Sequence, residues 1–188
     1  MQEVQRSETE EWIRAGRQAL VSGTIASVLS TGVLALFGKS MMDKPLAPTN
    51  ATSHWLWGDE EAYNALDPSL EHTAVGYATH HASALMWATI FERWLNHSGT
   101  LRTSDIVRDA AGMTAIASFV DYQLTPKRLT PGFEAHLSKG AMLGVFTAFG
   151  AGLALGAILN RQHARRLEEA LTIPDTDYVE QPQTPVLH

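Results

Sequence analysis

A chain of 188 residues has the length of one domain, and its formal charge of −6 is the wrong sign for nucleic acid, whose phosphates call for clustered Lys and Arg. With no cysteine, disulfides, thiolate nucleophiles, zinc ribbons and iron–sulfur clusters are all excluded. The 45% hydrophobic content is ordinary for a soluble protein, but the apolar residues come in blocks separated by polar stretches, which the average hides.

The first segment, Met1 to Arg17, mixes charges and sets Ser7 three residues before Glu10 in capping-box spacing, which predicts a short amphipathic helix lying on a membrane surface. From Gln18 to Gly38 come 21 residues without a charge, about 31 Å of helix, the thickness of a hydrocarbon core. A cleaved signal peptide is the rival, but its flank carries more acid than base and no A-x-A site follows. Residues 41–66 form the longest connection, broken by Pro45, Pro48 and Gly58, with Trp55 and Trp57 suited to a headgroup boundary. The next helix is punctuated by Asp67 as N-cap, Pro68 and Gly99, and no Asp, Glu, Lys or Arg lies between Glu71 and Glu92. A third apolar segment, capped by Ser104 and Asp105, covers 106–124; only 11 residues separate Asp109 from Asp121, so it must tilt or be shielded. Leu124-Thr125-Pro126 and Leu129-Thr130-Pro131 read as turns, with a helix restarting at Pro131. Gly140 to Asn160 is again 21 uncharged residues, followed by a charged helical end and a proline-containing tail expected to be disordered.

The expected fold is therefore all-α: a polytopic integral membrane protein with four transmembrane helices, at about 18–38, 72–94, 106–124 and 138–160, packed as a small bundle. Nine basic residues fall on the side of the two termini and the second loop, and five on the other, which puts both termini in the cytoplasm. The location this implies is a bacterial inner membrane, with the lipid bilayer as the chain's principal partner.

Packing is signalled by small residues at every fourth position. Gly140, Gly144, Ala148, Gly152 and Gly156 mark the last helix, Ala19, Gly23, Ser27, Thr31 and Ala35 the first, and Ala74, Ala78 and Ala82 the second. Such stripes allow backbones to approach closely in lipid, and the expectation is that these faces meet. They would serve equally a homo-oligomer or a different membrane protein as partner.

Chemistry is signalled by His80 and His81, adjacent within the uncharged run where ionisable groups are expensive. They point about 100° apart, so one of them faces the bundle, and His80 or His81 with Asp121 from the third helix, joined by Glu134 or His136 before the fourth, would form a nitrogen and carboxylate site for a divalent metal or a proton. No H-E-x-x-H, E-x-x-H or repeated H-x-x-H-H spacing supports a metal, and the competing reading is an imidazole hydrogen-bonded across helices to Ser83, Thr79 or Tyr77. A bis-histidine haem lacks a second histidine at matched depth, and Ser83, His80 and Asp121 lack the nucleophile elbow of a hydrolase. Packing signals outweigh catalytic ones, so the expected function is a non-enzymatic structural, accessory or small-solute handling module. The alternative is a membrane metalloprotein or enzyme using His80, His81 and Asp121 near the outer face.

Overall fold

A computed structural model describes residues 2–100 and 102–172, and among the described residues the chain is all helix without a strand. The tail expected to be disordered lies at 173–188, outside the described residues.

The first helix, α1, runs unbroken over Gln2–Met42. The separate surface helix expected before residue 18 does not form, because nothing there stops a helix: the first proline is Pro45, and Ser7 sits inside the helix rather than at its start. Three short helices follow: α2 (Ala47–Ala51), α3 (His54–Trp57) and α4 (Asp59–Asn64). A π turn at Leu70–Ala74 then leads into α5, Val75–Ser98. Ser69, not Asp67, caps this unit by accepting from the His72 backbone N–H, while Asp67 pairs with Lys44 at 2.6 Å. Gly99 closes α5 in the left-handed region, at φ 64°, as its position predicts. Helix α6 (Thr103–Phe119) ends in a second π turn, Val120–Leu124. No helix restarts at Pro131; two 3-10 turns, Lys127–Leu129 and Phe133–Ala135, lead to α7, Lys139–Thr172.

The four long helices form an antiparallel bundle with α1 at its centre, α5 on one side and α7 on the other, and α6 packed against α7. Ala19, Ala26, Ala88, Phe91, Leu153 and Ala157 belong to the core that joins them. Helices α5 and α6 share a tight turn at one end and touch little beyond it. They diverge toward the other end, where α2 to α4 and the 125–138 segment cover the bundle. This cover is a folded cap rather than a loop. All five residues of α2 are buried, Gly76 of α5 lies hard against the Thr49 carbonyl, and Gly132 against Ala51 and His54.

Glycines do sit at close contacts between the helices, but not as two matching stripes. On α7, a Cβ at Gly152 would run into Ala26 and one at Gly156 into Ser22, while one at Gly144 would lie 2.8 Å from the Phe37 ring. On α1, Gly23 turns the other way, its Cβ position 2.9 Å from Leu85 of α5, and Ser27 is fully buried. Gly140 is exposed, with only Ser138 near it, and Ala148 is half-buried. Ala74, Ala78 and Ala82 are exposed, and α5 meets α1 through Ala88 instead. The physical reason is angular. A four-residue step advances about 400° round a helix, 40° beyond a full turn, so over four steps the row from 140 to 156 swings through about 160°.

Two helices, α1 and α7, are long and apolar enough to cross a membrane. Helix α5 falls short because it carries His80, His81 and Glu92, and α6 because it has only 17 residues and carries Asp105, Arg108 and Asp109 in its first two turns.

Candidate functional site

Where α5 and α6 diverge beneath the cap, they enclose a half-open chamber of about 380 Å³. Its walls are mainly apolar: Trp87 and Met86 from α5, Ala117 from α6, Phe146 and Phe149 from α7, and Phe133 from the cap. Against them stand a few polar groups, namely Ser30 of α1, His80 and Ser83 of α5, Asp121 of the second π turn, and Thr52 of the cap. An enclosed apolar space with a few converging polar atoms is the usual form of a small-molecule site. The π turn that follows α6 adds a residue to the helical repeat at the point where Asp121 reaches the chamber.

Each polar group has a definable state. His80 Nε2 lies 2.8 Å from Ser30 Oγ, and Ser30 Oγ lies 2.7 Å from the Ala26 carbonyl and 3.1 Å from that of Ser27. Carbonyl oxygens only accept, so the hydroxyl proton goes to them and His80 Nε2–H donates to Ser30. In the neutral ring this leaves Nδ1 as an acceptor. Two residues of the lining, Trp87 (8% exposed) and Thr52 (3% exposed), each carry a side-chain polar atom, Nε1 and Oγ1, that is buried without a hydrogen-bond partner. Trp87 lies beside the Asp121 carboxyl without reaching hydrogen-bond geometry. No Lys or Arg pairs with Asp121 among the described residues.

Of the three residues expected to share a metal, His80 and Asp121 line this chamber and His81 does not. His81 stacks on Tyr77 at 5.7 Å, and its Nδ1 is buried without a partner. Neighbours on a helix point about 100° apart, so one wall can hold only one of the pair. Glu134 is engaged in the cap, accepting from Tyr122 at 3.2 Å and Thr130 at 2.7 Å, and His136 lies edge-on to Tyr63. Among the described residues no three His, Asp or Glu side chains converge as a group able to hold a metal ion. The expected cluster is therefore not assembled.

The cap has its own polar core. His54 is fully buried, with Nδ1 2.8 Å from Asp59 and Nε2 2.9 Å from the Thr130 carbonyl, to which Trp55 Nε1 also donates at 2.8 Å. Asn50 donates to the carbonyls of Ala65 and Asp67 and accepts from Thr73. Burial, then the charges of Asp59 and Glu134, push the Tyr63 phenol up to about 12, and burial holds the His136 imidazole below its ordinary value.

Sequence reasoning missed the opposite end. Glu92 of α5 is fully buried and pairs with Arg161 of α7 at 3.0 Å. Asn160 donates to Glu92 and to the Gln18 carbonyl, both at 2.9 Å; Asn96 donates to Gln18 Oε1 at 2.7 Å; Arg161 Nε donates to the Thr100 carbonyl at 3.1 Å. The one available signal was that Glu92 and Arg161 each adjoin an uncharged run and carry opposite charge. The chain matches no family model, no curated protein and no solved structure, so any function has to be argued from this geometry.

Proposed function

We infer that the protein is a four-span membrane protein whose outer chamber holds a small amphipathic solute. The observation that carries this reading is Asp121, whose carboxyl joins His80 and Ser83 in lining one mainly apolar chamber and has no Lys or Arg paired with it among the described residues. A solute with a hydrogen-bonding head and an apolar body would give that carboxyl a partner while filling the apolar space.

Four crossings are supported by where the apolar side chains point. Large hydrophobics are exposed on all four long helices: Val28 and Leu36 on α1, Met86 and Ile90 on α5, Ile116 and Phe119 on α6, Leu143 and Leu155 on α7. Exposed large apolar side chains on every long helix suit lipid. The polar residues that lower the hydropathy of α5 face inward, as His80 and Glu92 do. Both ends of the chain then share the cytoplasmic side of a bacterial inner membrane, and the cap faces outward, in keeping with the nine-to-five division of basic residues.

A serine–histidine hydrolase is the second reading, prompted by the 2.8 Å contact of Ser30 and His80. The direction of the bonds disfavours it. Ser30 is fully buried and gives its proton to a main-chain carbonyl, so His80 acts as donor to it rather than as its base. The pair ties α1 to α5.

The test of the chamber uses 2-phenylethanol as a neutral amphipathic probe. Equilibrium dialysis against the detergent-purified protein, blanked with empty micelles, should show saturable binding to the wild type. Ser83→Trp, whose indole would occupy much of the chamber, should lose it while unfolding at an unchanged temperature. Equal uptake by both proteins and by micelles alone would refute the reading.

A further inference from the structure

Resting on that chamber, a narrower conclusion about its occupant follows from which hydrogen-bonding groups line it. We propose that the chamber takes a primary organic amine, bound as its ammonium ion, with a compact apolar body such as an aromatic ring.

Asp121 is the first reason. Its carboxyl lines a mainly apolar space and has no Lys or Arg paired with it among the described residues. An ionised carboxylate removed from water is expensive unless a cation accompanies it, and here the chain supplies none. A cationic ligand does.

The second reason is the balance of donors and acceptors. Because Ser30 spends its proton on the backbone and His80 Nε2–H points to Ser30, His80 offers Nδ1 as an acceptor. Asp121 adds carboxyl oxygens, and Ser83 adds a hydroxyl that can accept as well as donate. The obligate donors of the lining are already placed within the protein: Trp55 Nε1–H donates to the Thr130 carbonyl, His80 Nε2–H points to Ser30, and Trp87 lies beside Asp121. An R–NH₃⁺ group has three donors and no acceptor, the complement of this set. A carboxylate or phosphate head would instead meet the Asp121 carboxyl and the His80 Nδ1 lone pair.

The walls supply the third reason. Phe133, Phe146, Phe149 and Trp87 leave room for an apolar body but offer no second charged group to hold a distant polar end. Diamines, amino acids and sugars with amino groups are thereby disfavoured, and aralkyl or short alkyl monoamines fit.

The experiment compares two probes of nearly equal size, 2-phenylethylamine and 2-phenylethanol, by equilibrium dialysis at neutral pH against the full-length protein in detergent. The amine should bind the wild type at least tenfold more tightly than the alcohol. Asp121→Asn should weaken the amine and bring the ratio of the two affinities close to one, with cooperative thermal unfolding retained as evidence that the protein is folded. Equal affinity of amine and alcohol for the wild type overturns the assignment while leaving the chamber reading standing. Binding of neither probe overturns both. Should Asp121→Asn fail to fold, the wild-type ratio decides by itself.

Discussion

Glycine at 156 and glycine at 140 belong to the same four-residue row yet occupy opposite environments, one against the Ser22 backbone and the other exposed. They give a paired prediction. Gly156→Ala forces a methyl into the α1 backbone, and overpacking of that kind costs about 1–3 kcal/mol. Gly140→Ala meets nothing but Ser138 and removes a flexible residue from the first turn of α7, so it should be neutral or slightly stabilising. Thermal unfolding of the two variants in detergent, followed by circular dichroism, separates them. If both behave alike, α1 and α7 are not packed as described. His80 shows the same dependence on angle: its neighbour His81 had an equal claim from sequence, and only the roughly 100° between them sends one to the chamber and the other to Tyr77.

At the scale of elements, the two ends of the bundle are secured by different means. Beneath the cap, backbone lies on backbone, through Gly76 and Thr49 and through Gly132 and Ala51. At the other end a buried ion pair joins α5 to α7, with Asn160, Asn96 and Gln18 completing its hydrogen bonds to α1. Removing one member of a buried pair strands the other. Glu92→Ala should therefore destabilise by about 3–5 kcal/mol, whereas replacing both residues with methionine should recover most of that loss. The measurement is the unfolding midpoint of the two single variants and the double variant. Strict additivity would mean that the pair is not coupled. The elements themselves were largely legible in the sequence, since uncharged length, Gly99 and the placement of prolines marked the four long helices. Their starts were not. Asp67 and Ser69 are both good caps, and the choice went to Ser69 because Lys44, remote in sequence, engages Asp67. Neither π turn has a sequence signature, and the inward turn of Glu92 depends on an arginine 69 positions away.

Across the whole molecule, an even number of antiparallel helices brings both described ends to the side opposite the cap. The absence of cysteine makes this arrangement open to a clean test. In intact cells, Lys127→Cys in the cap should react with a membrane-impermeant maleimide, and Glu8→Cys or Gln162→Cys only after the cells are broken. Reaction of all three single variants in intact cells would contradict four crossings. What sequence could not supply at this scale was the chamber, because its lining runs from Ser30 of α1 to Phe149 of α7 and draws on four helices and a cap. His80 and Asp121 stood out individually, but Trp87, Thr52 and Ser30 looked like ordinary membrane-helix and loop residues. The central place of α1 has a bearing on biosynthesis. It precedes the other three long helices along the chain, so each of them leaves the ribosome after it and must close around it: its Gly23 face waits for α5, and its Ser22 and Ala26 face waits for α7. A nascent chain halted before residue 139 would thus leave the α7-facing half of that helix uncovered, a ready mark for quality control and an opening for a passing helix of another protein.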